Sequence, residues 1–168
     1  MLLSTVVLAL AACEQGAPPA TPPIVPGTRE APRDVNLIAR DYVFVPSTLD
    51  VVPGETVVLH VINGGLTVHE AVIGDTSVQD AWEAAEAVAA DPPPGPTPLV
   101  SVPPDISGIR IVVASGQRVD ITWTVPTGTP PLVVGCHIPG HWAEGMWIPV
   151  RFVGLSAAFR SPSASVWG

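Results

Sequence analysis

The sequence predicts an all-β, two-sheet sandwich with one short helix in an inserted segment. Three observations lead there. Between Asp34 and Val153, short runs rich in Val, Ile, Thr and aromatic residues are broken by Gly, Pro and Asp, the composition of strands separated by turns. Residues 118–125 alternate, with Val119, Ile121, Trp123 and Val125 on one face, as a half-buried antiparallel strand requires. The stretch Thr76 to Ala90 instead carries a helical period. Many short strands with turn signals between them pack as two sheets.

The N-terminal residues stand apart from that fold. Leu2 to Ala12 is an apolar run of signal-peptide length, too short to span a bilayer. It ends in Leu10-Ala11-Ala12-Cys13, which resembles the lipobox of bacterial lipoproteins; the resemblance implies cleavage before Cys13 and a diacylglycerol on its thiol. No Lys or Arg precedes the run, the first basic residue being Arg29, a departure that an upstream start codon would explain. A buried N-terminal strand is the alternative, but the polar, Pro-rich segment that follows offers it no partner. From Glu14 to Arg33, Pro, Ala, Gly and Thr dominate, a composition that stays extended and semi-stiff. At ~3 Å per residue such a tether reaches some tens of ångströms. The expected organisation is a signal peptide at 1–12, lipidated Cys13 and a tether at 13–33, one domain at 34–154 and a flexible tail at 155–168. The protein then works outside the cytoplasm, in the periplasm or at the cell surface, tied to the membrane by its lipid.

Within the domain the strands read as Val35–Ala39, Tyr42–Val45, Leu49–Val52, Glu55–Ile62, Val68–Ile73, Ile109–Ala114, Arg118–Val125, Leu132–Val134 and Trp147–Val153. Pro53-Gly54, Asn63-Gly64-Gly65 and Ser115-Gly116 mark turns. In the helical stretch Ser77 is the expected cap, with Asp80 three residues on, and Val78, Trp82, Ala85 and Val88 form the apolar side. Asp91-Pro92-Pro93-Pro94 ends it, and the Pro-rich loop to Ser107 is expected to run over the surface. Residues 75–105 hold six acids and no base, which reads as an ordinary solvated helix face, or else as an attraction for a basic partner.

With 168 residues, 47% of them hydrophobic, the chain suffices for one core and one domain. Fifteen acidic residues against seven basic ones, all arginine, give a formal charge of −8, which argues against a nucleic-acid or anionic-membrane surface. The two cysteines, Cys13 beside the apolar run and Cys136 in a histidine-rich loop, suit two separate roles better than one disulfide.

The loop Gly135-Cys136-His137-Ile138-Pro139-Gly140-His141-Trp142-Ala143-Glu144-Gly145-Met146 offers a thiolate, an imidazole and a thioether at five-residue intervals. With a second imidazole, that is the donor set of blue-copper electron-transfer sites, whereas zinc rarely takes methionine. His69, just after the Asn63-Gly64-Gly65 turn, is the best candidate for the second imidazole. A blander reading makes Cys136 an inert buried thiol, His69 and His141 satisfied polar groups, and Met146 simple core.

Val61-Ile62-Asn63 running to His69-Glu70-Ala71-Val72-Ile73-Gly74, with the Cys136, His141, Met146 loop downstream, resembles the plastocyanin/azurin-type cupredoxins over residues 34–154. The resemblance implies a Greek-key sandwich and one type 1 copper ion held by His69, Cys136 and His141 in a near-trigonal plane, with Met146 axial. Many cupredoxins place a loop-bracing Asn after the first histidine; Glu70 stands there in this chain, which puts that bond in question. His60, within a strand, reads as a surface or packed residue rather than a ligand. His137 adjoins the thiolate ligand as the bridging histidine of multicopper oxidases and copper nitrite reductases does. The chain has only four histidines, however, and alternation turns His137 away from the ion, so a structural or hydrogen-bonding role is expected.

Three protein ligands plus Met146 leave no open position for a substrate, so the expected function is one-electron transfer rather than catalysis, by a monomer exchanging with redox proteins. Copper tolerance or delivery is the alternative, weakened by a chain whose only methionines are Met1 and Met146. Ile138, Pro139, Gly140 and Trp142 surround His141 with apolar surface, which makes Pro139, His141 and Trp142 the candidate electron port, unless Trp142 and Pro139 simply pack the loop.

Overall fold

The structure, a computed structural model, describes residues 24–88, 100–128 and 130–154. The expected signal peptide, Cys13, most of the expected tether, the expected tail at 155–168 and much of the Pro-rich loop lie outside the described residues. Among the described residues nine strands form: β1 (Arg33–Arg40), β2 (Val43–Val45), β3 (Leu49–Val51), β4 (Thr56–Asn63), β5 (His69–Gly74), β6 (Ile109–Val113), β7 (Arg118–Thr124), β8 (Val133–Gly135) and β9 (Trp147–Phe152). One helix, α1 (Thr76–Ala87), follows β5.

They build a Greek-key sandwich of two sheets, β2-β1-β4-β7 and β3-β9-β8-β5-β6. β1 pairs parallel with β4 and β3 with β9, while the other pairs are antiparallel. The alternation read in β7 holds: Trp123 and Val125 are buried, and Val119 and Ile121 pack against the same core. That core joins Leu37, Val57, Leu59 and Val61 of one sheet to Ala71, Ile73, Val134, Ile148 and Val150 of the other. Each such Val, Leu or Ile side chain contributes about 1.5–3 kcal/mol on burial. The folded unit also reaches back into the segment assigned to the tether: Gly27 N–H donates to Glu55 Oε2 (3.2 Å), and Glu55 pairs with Arg33.

The helix differs from its expected form in cap and face. Asp75, not Ser77, is the N-cap, its carboxylate accepting from Val78 N–H (3.2 Å), while the Ser77 hydroxyl donates to Asp75. The buried face is Val78, Gln79, Trp82 and Glu86, whereas Val88 is 82% exposed. Two polar residues therefore face inward, and the acidic segment is not simply a solvated face. Gln79 lies against β5 and β8 and Glu86 meets Arg110 of β6, so β5 is buried on both sides: Ala71 and Ile73 in the sandwich, Val72 beneath α1.

Candidate metal centre

Three connections meet at one end of the sandwich: the corner at 41–42 between β1 and β2, the turn at 64–68 between β4 and β5, and the loop at 136–146 between β8 and β9. Asn63 shapes the turn, its Oδ1 accepting from Gly65 N–H (2.8 Å) and its Nδ2 donating to the carbonyls of Thr67 (2.8 Å) and Val113 (2.9 Å). His69 thus starts β5 on its inward face. The long loop closes on itself: Cys136 N–H donates to Met146 O (3.0 Å), Met146 N–H to His141 O (3.1 Å) and His141 N–H to Ile138 O (2.9 Å). Gly140 (φ 91°) and Gly145 (φ 87°) take the left-handed conformation its two reversals demand.

The result brings His69, Cys136 and His141 together, with ligand atoms all within 4.8 Å of one another. His69 Nδ1 and Cys136 Sγ each lie 3.2 Å from His141 Nδ1. At metal–nitrogen distances of about 2 Å and metal–sulfur of about 2.3 Å, both 3.2 Å spacings suit donors that share an ion, and the three residues form a group that could hold one. His69 and Cys136 are fully buried and His141 nearly so. Burial pushes the Cys136 thiol up to about 12, the largest opposing influence being the Glu70 N–H aimed at its sulfur (3.5 Å). Burial, then the neighbouring His69, pulls His141 down to about 4. Burial thus favours the uncharged imidazole and thiol, and a metal ion bound there would displace the thiol proton. Met146 is fully buried at the loop's end, its backbone tied to Cys136 and His141.

Glu70 does brace the loop, as a carboxylate instead of an amide. Its Oε1 accepts from the His137 N–H (3.0 Å), and Oε2 accepts from Arg110 Nε (2.7 Å). Arg110 also reaches Glu86 Oε1 (2.9 Å) and lies 4.3 Å over the Trp82 ring. Burial, then the charge of Glu70, raises Glu86 to about 7. His137 points away from the ligand cluster, as alternation predicts: its ring nitrogens meet Glu83 Oε2 (2.9 Å) and Gln79 Oε1 (2.7 Å) of α1. His60 sits on β4 between Asp120 (2.8 Å) and Asp34 (2.9 Å), away from the cluster, and its pKa is raised chiefly by the bond to Asp120.

The port residues separate spatially. Pro139, Gly140 and His141 line a depression of about 190 Å³ with Tyr42 and Glu144. Trp142 instead stacks between His137 (centroids 4.8 Å apart) and Trp147 (6.2 Å). Two site residues were not singled out in the sequence. The Tyr42 ring lies 4.7 Å from that of His141. Asp41 Oδ1 lies 2.7 Å from His69 Nε2, and its carboxyl is held at about 2, first by the Leu66 N–H and then by His69 and Thr67. Asp41 lies 28 positions before His69, and nothing in the local sequence marked it.

Among solved structures the fold recurs in auracyanins and an azurin. The reduced auracyanin of Roseiflexus castenholzii is 20% identical, with a TM-score of 0.57 over 71% of this chain and 96% of that one. Auracyanin A, a "blue" copper protein of Chloroflexus aurantiacus, is 20% identical, with a TM-score of 0.56 over 73% of this chain and 100% of that one. An azurin of Methylomonas sp. strain J is 17% identical, with a TM-score of 0.51 over 73% of this chain and 99% of that one. No family model and no curated protein matches the sequence. At these identities the likeness establishes the cupredoxin fold.

Proposed function

We propose that this chain is a one-electron carrier that holds a single type 1 copper ion through His69, Cys136, His141 and Met146. The observation that carries the reading is the convergence of a thiol and two imidazoles in one buried cluster beside a buried methionine. That donor set suits copper and suits zinc poorly, and auracyanin A, of the same fold, is a "blue" copper protein. When bound, copper supplies the Cu(I)/Cu(II) couple. The chain's part is to hold the ligands still: three come from a loop closed by its own backbone bonds, one from a strand buried on both faces. Ligands that cannot relax towards either oxidation state keep the rearrangement on electron exchange small. With four protein ligands no position is open to a substrate, so the reading is a carrier and not an enzyme.

Electrons enter and leave, in this proposal, over the depression at Pro139 and His141, where a redox protein docks briefly. Trp142, stacked on His137 and Trp147, supports the loop wall behind it. The carrier works outside the cytoplasm as a monomer, anchored by a lipid on Cys13. No helix among the described residues is long and apolar enough to cross a membrane. Membrane fractionation of the chain expressed in a bacterial host tests the anchor; full-length, unlipidated protein in the soluble fraction contradicts it.

Voltammetry of the copper-loaded soluble domain tests the function. A reversible one-electron wave is expected. Tight Cu(I) binding that passes readily to an acceptor, without such a wave, would replace the carrier with copper delivery.

A further inference from the structure

Asp41 sits in the two-residue corner between β1 and β2, 28 positions before the histidine it touches. The turn at 64–68 fixes its carboxylate: Leu66 N–H donates to Oδ2 (2.8 Å), and the Thr67 hydroxyl (3.0 Å) and N–H (3.5 Å) donate to Oδ1. Oδ1 then meets His69 Nε2 at 2.7 Å. A carboxylate only accepts, so Nε2 carries the imidazole proton and Nδ1 is left bare. Nδ1 is the atom that faces His141 at 3.2 Å. Gly65 makes the approach possible: a Cβ there would lie 2.5 Å from Asp41 Oδ1 and 2.8 Å from His69 Nε2.

Resting on the copper reading above, we propose that Asp41 is a positioning residue of the metal centre. It locks His69 in the tautomer that turns Nδ1 inward, and its negative charge, relayed through the ring, favours the more highly charged state of the bound ion. A carboxylate behind a ligating imidazole makes the imidazole a stronger donor, and losing such a partner typically costs about 10–100-fold in metal affinity. A dication gains more from that donor than a monocation does, so Asp41 draws the reduction potential down.

The test compares the wild-type soluble domain with Asp41→Asn and Gly65→Ala. Asparagine keeps an oxygen for His69 and loses the charge; alanine keeps the charge and pushes the pair apart. Three quantities are read: Zn(II) affinity by chelator competition, the ¹⁵N shifts of His69 in the Zn(II) form, and the reduction potential of the copper form. Asp41→Asn is expected to weaken Zn(II) about tenfold or more and to raise the potential; a tenfold difference between the oxidation states corresponds to ~59 mV. Gly65→Ala should move both in the same direction, with ¹⁵N shifts reporting a weakened Nε2–H bond. Unchanged Zn(II) affinity and potential in Asp41→Asn, with the visible thiolate-to-copper charge-transfer band of the copper form intact, would overturn the proposal. If Asp41→Asn does not fold, Gly65→Ala decides alone, and a broken Nε2–H bond with both quantities unmoved overturns it equally. A wild type that never develops the band, beside a variant that binds Zn(II) less tightly, would reject the copper reading and keep the role of Asp41.

Discussion

Replacing Glu70 by Gln changes a single atom in a carboxylate that is 0% exposed and accepts from two donors, His137 N–H at 3.0 Å and Arg110 Nε at 2.7 Å. The Gln carbonyl can serve one of them, and its amide then sets N–H against N–H at the other. Losing one partner of a buried ion pair outright costs about 3–5 kcal/mol, and losing a neutral hydrogen bond about 1 kcal/mol. Arg110 keeps Glu86 Oε1 at 2.9 Å, so the cost falls between these limits. The expected loss is about 2–3 kcal/mol in the metal-free domain, read as a lower urea midpoint at unchanged slope. A double-mutant cycle with Arg110→Met should return a coupling of about 1 kcal/mol or more. A loss under about 0.5 kcal/mol, within the range of an ordinary surface change, would refute the claim that this ion pair braces the Cys136 loop.

Met146→Leu should keep the visible band and raise the reduction potential by voltammetry, because a weak donor favouring Cu(II) is gone; loss of the band would show that Met146 does more than tune. Glu86 gives a pH dependence. Its folded pKa of about 7 lies above the ordinary 4.5, so between those values the native state keeps a proton that the unfolded chain has released, and stability falls as pH rises through that window. Glu86→Gln should flatten this fall in urea midpoints taken across the window, and an unchanged slope would contradict the assignment. Pro139→Glu should slow bimolecular electron exchange, measured by stopped flow, with the spectrum nearly unchanged; an unaltered rate would remove the depression at His141 as the port.

The strands were legible because each carries its own signal, a β-branched run closed by Gly, Pro or Asn, and the ligand loop because its donors lie within one short segment. What the sequence hid were side chains whose partners are distant. Glu70 and Arg110 are 40 positions apart and meet only because β5 and β6 pair with Glu70 opposite Val112. Asp41 reaches His69 only because parallel pairing of β1 with β4 sets Ala39 beside Asn63 and carries the corner to the turn. The helix face was misread for a related reason: apolar periodicity cannot register Gln79 and Glu86, which are buried to bond His137 and Arg110. At the helix start Asp75 and Ser77 both carry capping side chains, and the hydroxyl of Ser77 is spent on Asp75 itself.

The central claim is that Cys136 is a thiolate ligand of copper, and the visible spectrum on addition of Cu(II) to the reduced soluble domain tests it most directly. An intense thiolate-to-copper charge-transfer band is expected to grow to one equivalent in the wild type and to be absent in Cys136→Ser. A band that persists in the serine variant, or a wild type that takes up Cu(II) without colour, would contradict the account.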